Sequence, residues 1–247
     1  SMYAFYSSMY ELKVETMQKD DSLQIDINKV IEYCSNNDVK AVIFSNPCNP
    51  TSVGVTRQDV IKLIKSISCL AIIDEAYMDF WNQSILDEVE NYHNLIILKT
   101  CSKSIGLAGI RMGFAVAGEK ITTALRSVKS PYNTDTIAQT ICKTVLSEKE
   151  LLKSLCAEIV ESRKVLYNEI IALAKKYNKL ETVYDSVTNF VFIKTAYGRE
   201  IYEKLLERSI AIRFMGSYIR ITAGTQEENK AVVKALDEIL DGMEKGE

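Results

Sequence analysis

The chain has 247 residues and a mass of 27.9 kDa, with 47% apolar and 26% charged side chains, which is ordinary globular composition rather than disorder and enough for one large or two smaller cores. Its net charge of −3 gives no electrostatic case for nucleic acid or an anionic membrane surface, and apolar runs such as Ala41 to Phe44 and Leu70 to Ile73 are far too short to span a bilayer. One histidine, His93, and six cysteines without a CxxC pair exclude paired-histidine metal sites, argue for free thiols in a reducing, cytoplasmic setting, and leave Lys, Tyr, Asp or Glu as acid–base groups.

The chain opens on Met2 to Tyr10, which holds four aromatics, and Leu12 and Val14 then alternate with charge as a strand would. Asn28 to Asn36 predicts a short helix and Lys40 to Ser45 a buried strand. Thr56 with Asp59 resembles a capping box opening a helix that runs to about Ser66. Leu70 to Asp74, Asn94 to Lys99 and Arg111 to Ala117 read as three further strands. Strands apolar on both faces with helices between them predict a mainly parallel sheet covered on both sides. The link from Thr100 to Ile110 is too short for a crossover helix, so the fourth strand is expected to run antiparallel and the sheet to be mixed.

From Thr134 the pattern turns helical, and Glu148 to about Lys176 carries apolar residues near helical spacing. A strand at Thr188 to Thr195, a helix at Gly198 to Ser209, short strands at Ile210 to Arg213 and Tyr218 to Thr222, and a helix from Gln226 to about Met243 complete the chain. The fold class expected is α/β, a mixed sheet with helices followed by a smaller C-terminal α+β unit. The expected division is 1–145 for the large domain and 146–247 for the small one.

Ligands in open α/β sheets bind beyond the carboxyl ends of the strands. Here those ends are followed by Ser45-Asn46-Pro47-Cys48-Asn49-Pro50-Thr51-Ser52, by Asp74-Glu75-Ala76-Tyr77, and by Thr100-Cys101-Ser102-Lys103 running on to Arg111. An amide, a carboxylate with a phenol, and a lysine with hydroxyls and an arginine thus meet one rim. That set suits pyridoxal phosphate, which needs a lysine for its aldehyde, a carboxylate beside its pyridine nitrogen, a donor near its ring oxygen, and hydroxyls plus a cation for its phosphate.

These motifs, with Gly106-Leu107-Ala108-Gly109-Ile110-Arg111-Met112-Gly113-Phe114 and Arg220-Ile221-Thr222-Ala223-Gly224-Thr225, resemble the class I/II aminotransferases, fold-type-I pyridoxal-phosphate enzymes. Within that family the chain is most similar to the histidinol-phosphate aminotransferase and threonine-phosphate decarboxylase branch. The resemblance implies that Lys103 holds the cofactor as a Schiff base and moves the substrate proton. It implies that Asp74 pairs with the pyridine nitrogen, and that Tyr77 and Asn49 bond the ring oxygen. Thr100, Ser102 and Arg111 would bind the cofactor phosphate, and Tyr3 would stack on the ring. Arg220 would take the substrate carboxylate or phosphate, with Asn189 and Arg213 as further substrate contacts. The implied partners are an amino substrate, a 2-oxo acid and a second copy of the chain in a homodimer; no metal, nucleic acid or membrane is expected.

Two departures stand out. Ser52 sits where the family's Asn-Pro-Thr-Gly places glycine, so a modest backbone adjustment is expected. Members of the family also carry a further N-terminal stretch with a Gly-rich phosphate-binding helix start, which is expected to be missing ahead of Met2. Two alternatives therefore stand beside the aminotransferase: a threonine-phosphate-type decarboxylase on the same scaffold, and an inactive truncated fragment.

Overall fold

The computed structural model describes residues 2–246; Ser1 and Glu247, the outer ends of the two expected domains, lie outside them. Helix α1 (Met2–Met9) comes first, and Leu12 and Val14 follow it in irregular, exposed backbone. The strand expected there does not form: alternation marks a strand only where a neighbouring strand takes up its backbone hydrogen bonds.

Asp26 opens α2 (Ile27–Asn36) by accepting from the amides of Asn28 and Lys29, a cap worth about 1 kcal/mol. Strand β1 (Ala41–Ser45) leads to α3 (Arg57–Ser66), whose cap Thr56 accepts from the Asp59 amide. The Asp59 carboxylate accepts from the Thr56 hydroxyl at 2.7 Å, so the shorter side chain meets the cap hydroxyl rather than the cap backbone amide of a full capping box. Strands β2 (Leu70–Asp74), β3 (Leu95–Thr100) and β4 (Gly113–Ala117) complete a sheet of order β1-β2-β3-β4. β1, β2 and β3 are parallel and β4 is antiparallel to β3, the mixed sheet that the short Thr100–Ile110 link demands.

Val60, Leu63 and Ile64 on α3 and Ile27 and Val30 on α2 pack with Ala71, Ile73, Leu95 and Ile97 on one face of this sheet. Burying a side chain such as Leu63 is worth about 1.5–3 kcal/mol. The alternate face carries exposed Ala41 and Ile43 and half-buried Leu70, Ile72 and Leu98. Among the described residues the helical cover therefore favours one face, not both, although the strand sequences are apolar on both.

Helix α4 (Glu119–Val128), not expected from the sequence, leads to α5 (Thr136–Ser147) and the long α6 (Lys149–Lys176). Next come β5 (Thr182–Val183), β6 (Phe190–Lys194), α7 (Gly198–Glu207), β7 (Arg213–Phe214), β8 (Tyr218–Thr222) and α8 (Gln226–Lys245). β5 is a further element that the sequence did not announce. The second sheet is antiparallel in the order β5-β6-β8-β7. Leu166, Ile170 and Leu173 of α6, spaced one helical turn apart, join Val191, Ile193, Ile219, Leu236 and Leu240 in its core. Thr225 and Glu228 form a complete capping box on α8. No described helix is long and apolar enough to cross a membrane.

Candidate active site

The loop after β1 is built by Asn46. Its buried amide donates to the Val55 carbonyl at 2.9 Å and accepts from the Val55 amide at 2.7 Å, closing the loop on itself. The Asn46 and Asn49 bonds to their prolines are both cis. Ser52 has a left-handed backbone, with φ 66°; holding a side chain there costs about 1–3 kcal/mol.

Asn49 stands at the centre of the rim. Its Nδ2 donates to Tyr77 Oη at 3.2 Å, and its Oδ1 accepts from an Arg220 guanidinium N–H at 2.6 Å. Buried Tyr77 meets Phe190 edge to face, with centroids 5.5 Å apart. The Arg220 guanidinium lies 4.7 Å above the same Phe190 ring. Exposed Lys103 holds its ammonium 5.3 Å from the Tyr77 ring centroid. Four residues singled out from four separate motifs (Asn49, Tyr77, Lys103 and Arg220) therefore share one cluster.

Asp74 ends β2 beside them. Its Oδ1 accepts from the Ala76 amide at 3.0 Å and its Oδ2 from Tyr3 Oη at 2.5 Å. Burial first, then this carboxylate, holds the Tyr3 phenol well above its ordinary pKa, so Tyr3 stays a proton donor. The structure thus brings Tyr3 to the site through its hydroxyl. Two substitutions separate that hydroxyl from its ring. Tyr3→Phe frees Asp74 and keeps an aromatic face, so the dissociation constant for pyridoxal phosphate, read by absorbance titration, is expected to stay equal or fall. Tyr3→Ala loses the face and is expected to weaken binding about tenfold, the equivalent of ~1.4 kcal/mol of stacking.

The expected phosphate ligands lie at the end of β3, on the segment after it and at its return into β4. The Thr100 hydroxyl accepts from the Ser102 amide at 3.1 Å. Exposed Arg111, itself left-handed at φ 55°, donates to the Ala108 carbonyl at 2.9 Å. Arg213 is exposed and lies opposite Arg220 in the β7–β8 register. Asn189 Oδ1 and Arg220 Nε are buried without a hydrogen-bond partner, a state that costs about 1–3 kcal/mol per group and that a polar ligand would relieve. Burial, reinforced by Arg213 and opposed by Tyr77, lowers the Arg220 pKa.

Several supporting residues were not legible in the sequence. Buried Glu75 accepts from Ser84 Oγ at 2.6 Å and from the Ile85 amide at 3.0 Å. Lys99 pairs with Asp79 at 2.6 Å, and Asp79 also takes the Ser104 hydroxyl, next to Lys103. All six cysteines are unpaired. Cys101 lies 3.2 Å from Cys142, sulfur to sulfur, and burial pushes its thiol up to about 12.

The family model for aminotransferase class I and II matches residues 1–236.

The chain belongs to the class I and II aminotransferases.

It is 35% identical over 241 residues to a histidinol-phosphate aminotransferase of Clostridium novyi, an alignment covering 96% of this chain and 66% of that relative. The chain thus spans about two thirds of the relative's length. The Sinorhizobium meliloti histidinol-phosphate aminotransferase, solved in complex with pyridoxal-5'-phosphate, superposes with a TM-score of 0.85 at 21% identity, over 98% of this chain and 68% of that one. The L-threonine-O-3-phosphate decarboxylase of Porphyromonas gingivalis superposes at 0.79 with 20% identity, over 97% of this chain and 74% of that one. Both likenesses show the α/β fold of the aminotransferases.

Proposed function

We propose that this chain carries the catalytic and substrate-binding residues of a pyridoxal-phosphate-dependent aminotransferase. Its proposed reaction moves an amino group from an amino-phosphate such as histidinol phosphate to a 2-oxo acid. The observation that carries this reading is the Asn49 amide, which joins the Tyr77 phenol to the Arg220 guanidinium while Lys103 lies over Tyr77 and Asp74 closes the rim. Pyridoxal phosphate, when bound, supplies an electron sink for charge left at the substrate Cα. In this assignment the Asp74 carboxylate would pair with the ring nitrogen and hold a proton on it. Asn49 Nδ2 and Tyr77 Oη are the donors for the ring oxygen. Lys103 Nζ would hold the cofactor and, once released, would move the Cα proton as base and acid. Thr100, Ser102 and Arg111 would hold the cofactor phosphate.

On the substrate side, Arg220 offers its unpartnered Nε to an anionic oxygen and Asn189 its unpartnered Oδ1 to a donor. Arg213, opposite Arg220 in the sheet, adds a second positive charge for a doubly anionic group. The charge pairing supports a phosphate-bearing substrate in both the aminotransferase and the decarboxylase reading. The proposed assembly is a homodimer in the cytoplasm, with divisions at 1–145 and 146–247.

One titration separates the readings. Pyridoxal phosphate added to the chain is expected to give the absorbance of a lysine-bound cofactor. Histidinol phosphate with 2-oxoglutarate is then expected to yield glutamate. Carbon dioxide from threonine phosphate without any 2-oxo acid would replace the transfer by decarboxylation. The Arg111 guanidinium is turned to the Ala108 carbonyl, which favours the inactive-fragment reading, and a flat absorbance titration would support it.

A further inference from the structure

Ser52 is fully buried, yet its backbone is one that glycine adopts more readily. Its hydroxyl lies 2.7 Å from Ser186 Oγ and 2.7 Å from Thr188 Oγ1. Ser186 Oγ in turn donates to the Phe190 carbonyl at 2.5 Å. One proton per hydroxyl satisfies the whole set: Thr188 donates to Ser52, Ser52 to Ser186, and Ser186 to Phe190. The main chain adds a parallel tie, because the Val187 amide donates to the Ser52 carbonyl at 3.1 Å.

This network couples two parts of the candidate site. The Ser52 amide donates to the Cys48 carbonyl at 2.8 Å, so Ser52 belongs to the same tight loop as Asn49. Phe190, at the other end of the network, packs against Tyr77 and lies beneath Arg220. Arg220 returns to Asn49. The ring of contacts from Asn49 through Arg220 and Phe190 to Ser52 is closed, and the Ser52 hydroxyl is the part of it that glycine cannot supply.

We infer that Ser52 is a positioning residue: its hydroxyl sets the register between the Asn49 loop and the start of β6, and so fixes where Arg220 presents its guanidinium. The inference rests on the reading of Arg220 as an anion anchor. It assigns the departure from glycine a role in holding an anionic substrate.

The test uses the whole chain without cofactor and inorganic phosphate as the probe. Phosphate binding is followed by NMR at the Arg220 Nε–H, and backbone order by amide exchange at Val187. Ser52→Gly relieves the left-handed backbone and removes the side chain, hydroxyl included. It is expected to weaken phosphate binding about tenfold and to speed Val187 exchange by a similar factor. Ser52→Ala is expected to behave likewise. Thr188→Val added to Ser52→Gly is expected to change phosphate binding by less than about twofold, because both act through one network. Unchanged phosphate affinity in Ser52→Gly overturns the positioning role, with or without faster exchange at Val187. Unchanged Val187 exchange overturns it as well. If phosphate leaves the Arg220 signal of the unsubstituted chain unmoved, the anchor reading fails and the positioning role fails with it; loss of phosphate response in Ser52→Gly alone supports both.

Discussion

Replacing Lys103 by alanine is expected to abolish the near-visible absorbance that pyridoxal phosphate acquires on a lysine, and to lower kcat by at least about 10⁴-fold. The fold gives no reason for collateral damage. Lys103 is exposed, and its ammonium touches only the Tyr77 face at 5.3 Å among its described contacts, an interaction worth about 0.5–1 kcal/mol at an open site. The melting temperature should therefore barely move. Lys103→Arg sharpens the result. It preserves the charge and the contact with Tyr77, but a guanidinium neither forms the cofactor linkage nor gives up a proton at working pH. Arginine and alanine should consequently be equally inactive. An absorbance spectrum unchanged in Lys103→Ala would remove Lys103 from the chemistry, and with it the proposed aminotransfer.

How much of this was readable in the sequence depends on how local each feature is. β1, β2 and β3 were legible because short apolar runs end at polar loops, and their C-terminal ends delivered Asn49, Asp74 and Thr100 to one rim. The antiparallel β4 followed from the length of a loop. Helix α4 escaped because Gly118 offers no side-chain cap and two threonines, Thr122 and Thr123, weaken its helical signal. The strand expected at Leu12 and Val14 failed for the opposite reason: a local signal was present without a partner strand. The Ser52 network joins groups 134 positions apart, and no local pattern announces it. Arg111 turned toward Ala108 through its own left-handed backbone, a choice that its motif does not encode. Residue type was legible at each strand end; the contacts that aim each side chain belong to the folded chain.

Arg220 carries the second large expected effect, and its surroundings say which kinetic constant will respond. Its guanidinium is half-buried, bonded to Asn49 by one N–H and left with a buried Nε that no described group accepts. Truncating the cation of the buried pair that the proposal gives Arg220 with a substrate anion costs about 2–5 kcal/mol, so Arg220→Ala is expected to raise the substrate KM by about 10²–10³-fold. Because the proposal assigns Arg220 to holding the substrate and Lys103 to moving its proton, kcat should fall much less. Arg220→Lys restores the charge but not the planar fork, and should recover only part of the loss. In the proposed assignment Arg213 discriminates the substrate class. It is exposed and opposite Arg220, and the proposal gives it the second anionic group of the substrate. Arg213→Ala is expected to raise KM about tenfold for histidinol phosphate, the scale of one charged hydrogen bond of about 1.5 kcal/mol. KM for an unphosphorylated amino acid should remain within twofold. Equal losses for both substrates would show that Arg213 supports the sheet rather than the phosphate, and the phosphate-bearing substrate would lose its second cation.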